Sequence, residues 1–190
     1  MPAVEFRIAR PTERKPPFKF SAFVRVGFSD TDAQGIVYYG RYLPYFDTAR
    51  VEYLRHLGLL KLETGVDDPH EFVMRASSVE YFAPARFDDL IEIFVRMARI
   101  GTTSATFECA AYRVGDASAA PSPASRAQPA TRPRSLTTPP SGSGSVEGDD
   151  QLLVTARQTL VLVDLDERKA APIPSDYREC IRTFEGADLD

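Results

Sequence analysis

Cysteine is nearly absent from this chain. Cys109 and Cys180 stand far apart, with no CxxC pair and no Cys/His cluster around them, which excludes a disulfide framework and a structural zinc site and suits a reducing compartment. Histidine is as scarce, and His56 and His70 lack the His/Glu spacing of a metal site, so no metal is expected. Glycine-rich phosphate loops of the GxGxxG or GxxxxGK type do not occur. Nucleotide phosphates would therefore have to be held by backbone amides or scattered cations, for which Arg86, Arg99, Arg113 and Lys169 are available. A basic excess is also missing. The formal net charge of -4 argues against a general nucleic-acid or anionic-membrane binder. Long apolar runs are lacking too: Met1 to Phe20 mixes Glu5, Arg7, Arg10, Glu13, Arg14 and Lys15 with prolines, unlike a signal peptide or membrane span. These absences leave a small-molecule partner, a cytoplasmic location and no stable membrane insertion as the expectation.

What is present is enough for one core. At 190 residues with 43% hydrophobic content, a single domain is the natural reading. Residues 1–17 read as a flexible leader and 18–190 as the domain. From Phe18 to Phe28 the even positions are apolar, which predicts a strand with one buried face. From Tyr42 to Leu57 the period changes: Leu43, Phe46, Ala49, Tyr53, Leu54 and Leu57 recur at three and four, predicting an amphipathic helix. Pro44 is compatible with its first turn, and Gly58 marks its C-terminal end. Three strand-like runs follow, Phe72 to Tyr81, Leu90 to Ile100 and Thr102 to Arg113, and read as consecutive antiparallel strands.

Between about 115 and 150 the composition collapses to Ser, Pro, Ala and Gly, with only Leu136 and Val146 as large aliphatics. That is too little apolar surface to offset chain entropy, so disorder is expected there. Leu152 to Asp164 then resumes as a β-branched apolar run. The low-complexity stretch therefore reads as an insertion in one loop of a single sheet, which closure entropy tolerates. The order strand, long helix, four strands implies an α+β fold, an antiparallel sheet curved around one central helix. Such a sheet leaves edge strands bare, and pairing with a second copy would protect them, so a homo-oligomer, at least a dimer, is expected.

The chemistry is concentrated between the first strand and the helix, in Asp30-Thr31-Asp32-Ala33-Gln34-Gly35-Ile36-Val37-Tyr38-Tyr39-Gly40-Arg41-Tyr42. Two aspartates in a turn are ordinary turn and cap residues when read alone. The conjunction is less ordinary: Asp32, Gly35 three residues on, an apolar pair, an aromatic pair, then a helix start. A carboxylate near the unpaired amides of a helix start faces a place where an oxyanion could be stabilised.

This block resembles the signature of the 4-hydroxybenzoyl-CoA thioesterase-like branch of the hotdog superfamily: Asp-x-Asp-x-x-Gly, an apolar pair, aromatic residues, and a helix carrying Arg-x-x-x-Leu-x-x-x-Gly, here Arg50, Leu54 and Gly58. The likeness continues through Ser78 to Leu90, Thr102-Thr103-Ser104 and Ile173 to Glu179. It implies a hotdog fold and an acyl-CoA thioesterase, a dimer or dimer of dimers, with no cofactor beyond the coenzyme A of the substrate. It implies that Asp32 is the catalytic carboxylate, either as nucleophile on the thioester carbonyl or as base toward water. Tyr39, through its backbone N–H, and Gly40 would serve the carbonyl oxygen, and Gly35 would permit a tight backbone path or close substrate approach. Asp30 is expected to orient the turn by accepting backbone hydrogen bonds. Asp47 falls where the 4-hydroxybenzoyl enzymes have an aspartate facing the substrate hydroxyl, and a solvated helix position explains it as well. Tyr39 replaces a histidine of some relatives and places the chain nearer the aromatic-acyl enzymes. The competing class is a non-catalytic acyl-CoA or acyl-carrier binding module, since one fold hosts both; a hotdog dehydratase would want a His and acid pair that the motif lacks.

Overall fold

Apolar residues of the longer strands and of both helices assemble the described chain around a single apolar cluster. The computed structural model describes residues 8–60, 69–115 and 150–189. Its strands are β1 (Ala9–Pro11), β2 (Phe20–Arg25), β3 (His70–Tyr81), β4 (Leu90–Ile100), β5 (Ser104–Arg113), β6 (Gln151–Asp164) and β7 (Lys169–Ala170). Two α-helices accompany them, α1 (Tyr42–His56) and α2 (Ser175–Glu185).

The strands form one antiparallel sheet in the order β1-β2-β4-β5-β6-β3, with β7 added to β6. Helix α1 lays Tyr42, Tyr45, Phe46, Ala49, Tyr53 and Leu54 against the inner face, where Ile91, Ile93, Val95, Met97, Phe107, Cys109 and Ala111 wait. The predicted helix and its caps hold: Pro44 sits in the first turn, and Gly58, at φ 72°, lets the Leu59 amide reach back to the Leu54 carbonyl at 2.8 Å. This is the antiparallel sheet around one helix expected from the element order, and the hotdog arrangement that the resemblance implies.

Three expectations change. First, β3 is not the neighbour of β4. It pairs with β6 at the opposite edge, with β6 and β5 lying between. Strands consecutive in sequence are often neighbours in space, a rule with frequent exceptions. Residues 82–89 are a crossing rather than a hairpin turn. They run from β6, where the Phe82 amide meets the Leu153 carbonyl at 2.8 Å, to the end of β2, where the Asp88 amide meets the Val26 carbonyl at 3.0 Å.

Second, the leader is not loose up to residue 17. Ala9–Pro11 forms β1 on β2, and the following turn covers the sheet's outer face. There Arg14 ion-pairs with Glu92, a carboxylate with no solvent exposure that also accepts from Ser21 Oγ at 2.8 Å. Phe18 packs on Phe94, ring centroids 6.1 Å apart. An outer-face carboxylate at 0% exposure needs such a partner, since an isolated buried charge is costly. Residues 1–7 lie outside the described residues.

Third, α2 was not anticipated as a helix. Tyr177, Ile181 and Glu185 face inward, and Phe184 stacks edge-on with Tyr53 at 5.6 Å. It closes the end of the sheet remote from the Asp30–Tyr42 segment.

The predicted disorder of 115–150 falls almost wholly outside the described residues, but its flanks are informative. Arg113 and Gln151 are partners in register, so the intervening chain leaves and rejoins neighbouring strands of one sheet. Replacing 116–149 by a short Gly/Ser turn should leave the melting temperature within a few degrees, because loop length enters stability only logarithmically. Circular dichroism melting of the deletion variant checks this, and failure to fold would show that the segment packs.

Candidate active site

The segment between β2 and α1 is a narrow ladder. The Tyr38 amide donates to the Asp30 carbonyl at 2.9 Å, Thr31 and Val37 form an isolated antiparallel bridge, and the Asp32 amide donates to the Ile36 carbonyl at 2.9 Å. The tip closes through the Gly35 amide on the Asp32 carbonyl at 2.9 Å. The chain can turn there because Gly35 takes φ 72°, a left-handed conformation that side chains disfavour. Nothing lies within 4 Å of the place its Cβ would occupy, so the glycine is required by the backbone and not by a close approach. Gly35→Ala should accordingly cost about 1–2 kcal/mol from backbone strain alone. Urea denaturation of the two proteins measures that difference.

Asp32 stands at this tip, half-buried, its Oδ1 accepting the Gln34 amide at 2.7 Å. Among the described residues no Lys or Arg pairs with it. It borders a crevice of about 470 Å³ together with Gln34, Ile36 and Val37 from the ladder, Tyr39 and Tyr42 from the helix start, and Tyr81 to Pro84 from the end of β3 and the crossing. The lining is mainly apolar and aromatic. The crossing is what brings β3's end here: the Val37 amide donates to the Ala85 carbonyl at 2.8 Å.

Opposite the ladder, Tyr39–Arg41 forms a 3-10 turn that runs directly into α1. Its first internal bond is the Arg41 amide to the Tyr38 carbonyl at 2.8 Å, so the Tyr39 and Gly40 amides precede any intrahelical partner. The Tyr39 ring is exposed and lies against Tyr38, while the Tyr39 carbonyl accepts the Tyr81 hydroxyl at 3.1 Å. A Cβ on Gly40 would sit 2.8 Å from the exposed Tyr38 ring, which would have to move to admit it.

Asp30 does more than accept from the backbone. It is buried, and burial pushes its carboxyl pKa up, but hydrogen bonds from Tyr45, the Gly27 amide and Arg41 outweigh this and hold it below the usual range. Tyr42 is buried in the crevice wall, and burial pushes its phenol up. Asp47 is not brought to the crevice. Its half-exposed side chain pairs with Arg50 one turn along the helix at 3.4 Å. Of the cations considered for phosphates, Arg113 is occupied by the Pro84 carbonyl at 2.6 Å and by Asp89 at 3.2 Å. Tyr81 in the crevice lining, and Arg41 and Tyr45 on Asp30, are not singled out by the sequence, although Arg41 stands in the motif block and Tyr81 in the Ser78 to Leu90 stretch.

A sequence profile of the Thioesterase-like superfamily matches residues 26–181, from the end of β2 into α2. The chain belongs to the Thioesterase-like superfamily. Within this superfamily it is 40% identical over 84 residues to the acyl-CoA thioester hydrolase YbgC of Escherichia coli O6:H1, covering 44% of this chain and 62% of that relative. The chain thus matches somewhat less than two thirds of that relative's length. Among solved structures, a thioesterase superfamily protein from Jannaschia superposes with a TM-score of 0.67 at 21% identity, covering 93% of this chain and 89% of the other. A 4-hydroxybenzoyl CoA thioesterase variant complexed with 4-hydroxybenzoyl CoA superposes with a TM-score of 0.63 at 22% identity, covering 85% and 96%. These likenesses establish the superfamily's fold for this chain.

Proposed function

We propose that this protein hydrolyses an acyl-coenzyme A thioester to the free acid and coenzyme A, with Asp32 acting on the carbonyl. The observation that carries the reading is the position of Asp32: a carboxylate without a cationic partner among the described residues, at the edge of an apolar crevice whose other side is the start of α1. Superfamily membership and the 40% identical acyl-CoA thioester hydrolase support the substrate class.

The chemistry asks little of the protein. A thioester carbonyl is more electrophilic than that of an ester, and the coenzyme A thiolate leaves readily. Asp32 either attacks the carbonyl carbon, forming an anhydride that water then opens, or removes a proton from the attacking water. In both cases negative charge builds on the carbonyl oxygen, and the Tyr39 and Gly40 amides at the positive end of the helix are the donors to receive it. The apolar lining takes the acyl group and excludes water from it.

The test is thiol release from a panel of short-chain, long-chain and aromatic acyl-CoA esters. Turnover of at least one class supports the reading. Binding of the esters without thiol release would make the chain a non-catalytic acyl-CoA module.

The assembly we infer is a homodimer. β3 is a twelve-residue edge with Val73, Met74 and Tyr81 exposed along it, a row of backbone groups that invites a second strand. Its end reaches the crevice, so a partner there would also wall the site. Sedimentation equilibrium should return twice the 21.1 kDa chain mass, and a monomer at micromolar concentration would contradict the pairing. No helix among the described residues is long and apolar enough to cross a membrane. Free thiols at Cys109 and Cys180 fit the cytoplasm.

A further inference from the structure

Asp30 lies two residues before the proposed catalytic carboxylate, and only 6% of it reaches solvent. Its side chain joins three pieces of chain. Oδ2 accepts the Gly27 amide at 2.9 Å, just past β2, and the Tyr45 hydroxyl at 2.6 Å on α1. Oδ1 accepts Arg41 Nε at 2.7 Å, and a second guanidinium nitrogen completes the ion pair. Its main-chain carbonyl holds the Tyr38 amide, the base of the ladder that carries Asp32.

Only Tyr39 and Gly40 separate the Tyr38 hydrogen bond from the Arg41 ion pair. The two amides proposed to receive the oxyanion are therefore pinned on both sides by one residue. A turn needs a single cap. Here a buried carboxylate gathers donors from the strand end, the 3-10 turn and the first turn of α1, and it does not line the crevice.

We propose that Asp30 is a positioning residue: through Arg41 and Tyr45 it fixes the Tyr39–Gly40 amides relative to Asp32, so that carbonyl and carboxylate meet in attacking geometry. The inference rests on the thioesterase reading of Asp32. Misplacement of reacting groups by a fraction of an ångström acts on the chemical step more than on binding.

The test compares Asp30→Asn, Tyr45→Phe and Arg41→Lys with the parent protein. Thiol release is read with benzoyl-CoA and butyryl-CoA, and hydrogen exchange is followed by peptide across the chain. Asp30→Asn should lower kcat about a hundredfold, the scale of a small misplacement. Tyr45→Phe removes one hydroxyl and leaves the ring in the core, so about tenfold is expected, one hydrogen bond's worth. KM should stay within about twofold in both, the signature of an interaction that matters in the transition state. Exchange should quicken in 31–41 and not along α1 beyond Tyr45. The double variant Asp30→Asn/Tyr45→Phe should lose no more than Asp30→Asn alone, because Tyr45 acts through Asp30.

Unchanged kcat, or a kcat loss that follows a fall in melting temperature with faster exchange throughout, would overturn the proposal. If Asp32→Asn were fully active, the role given to Asp32 would fail instead, and a parent protein that turned over no short-chain, long-chain or aromatic acyl-CoA ester would contradict the thioesterase reading. Local exchange in 31–41 would still decide whether Asp30 bolts this turn.

Discussion

Asp32→Asn should lower thioester hydrolysis by at least about a hundredfold, the low end for losing a general base or nucleophile. It should do so with little change in stability. The Oδ1 that accepts the Gln34 amide is retained in asparagine, which serves such turns as well as aspartate does, so the ladder tip survives. Only the charge is removed. Since no Lys or Arg among the described residues pairs with that charge, its loss strands no buried cation. Initial rates of thiol release alongside thermal melting separate the two effects. Near-normal turnover would remove Asp32 from its role.

The second large effect concerns the element that orients the site. Phe46 is fully buried on the inner face of α1, its ring centroid 6.4 Å from that of Tyr42 in the crevice wall. Phe46→Ala should cost about 3–5 kcal/mol, the transfer free energy of the ring plus the cavity it leaves. That is a large share of the roughly 5–15 kcal/mol by which a domain is stable. Urea denaturation measures it. A cost within about 0.5 kcal/mol, the range of surface changes, would mean that α1 does not dock on the sheet as described.

Much of this architecture was legible because it is local. The apolar stripe of α1, the alternation along β2, the strand-like runs of β4, β5 and β6, and the caps at Pro44 and Gly58 are written within a few turns of each element. Pairing is not local, and β3 shows the consequence. Nothing within Phe72 to Tyr81 says that its neighbour is β6, because that choice is made by residues 82–89 crossing beneath the ladder. β1 is three residues ending in proline, too short to show a period. α2 did carry a signal, Tyr177, Ile181 and Phe184 at helical spacing before Gly186, but its residues were read for motif likeness alone.

The site divides in the same way. Asp32, Gly35 and the helix start are contiguous, and their motif names them. The partners of Asp30 lie eleven and fifteen residues away, and their convergence depends on the 3-10 turn between Tyr39 and Arg41. Asp47 is the converse case. It lies just beyond the motif in the sequence, yet it pairs with Arg50 and does not line this chain's crevice.

The most direct measurement is a crystal structure of the Asp32→Asn variant with an intact acyl-CoA thioester bound. The thioester carbonyl carbon should lie about 3–3.5 Å from the side chain at position 32, the separation of a near-attack arrangement, with its oxygen toward the Tyr39 and Gly40 amides. An acyl group seated elsewhere, or a carbonyl turned away from those amides, would contradict the account.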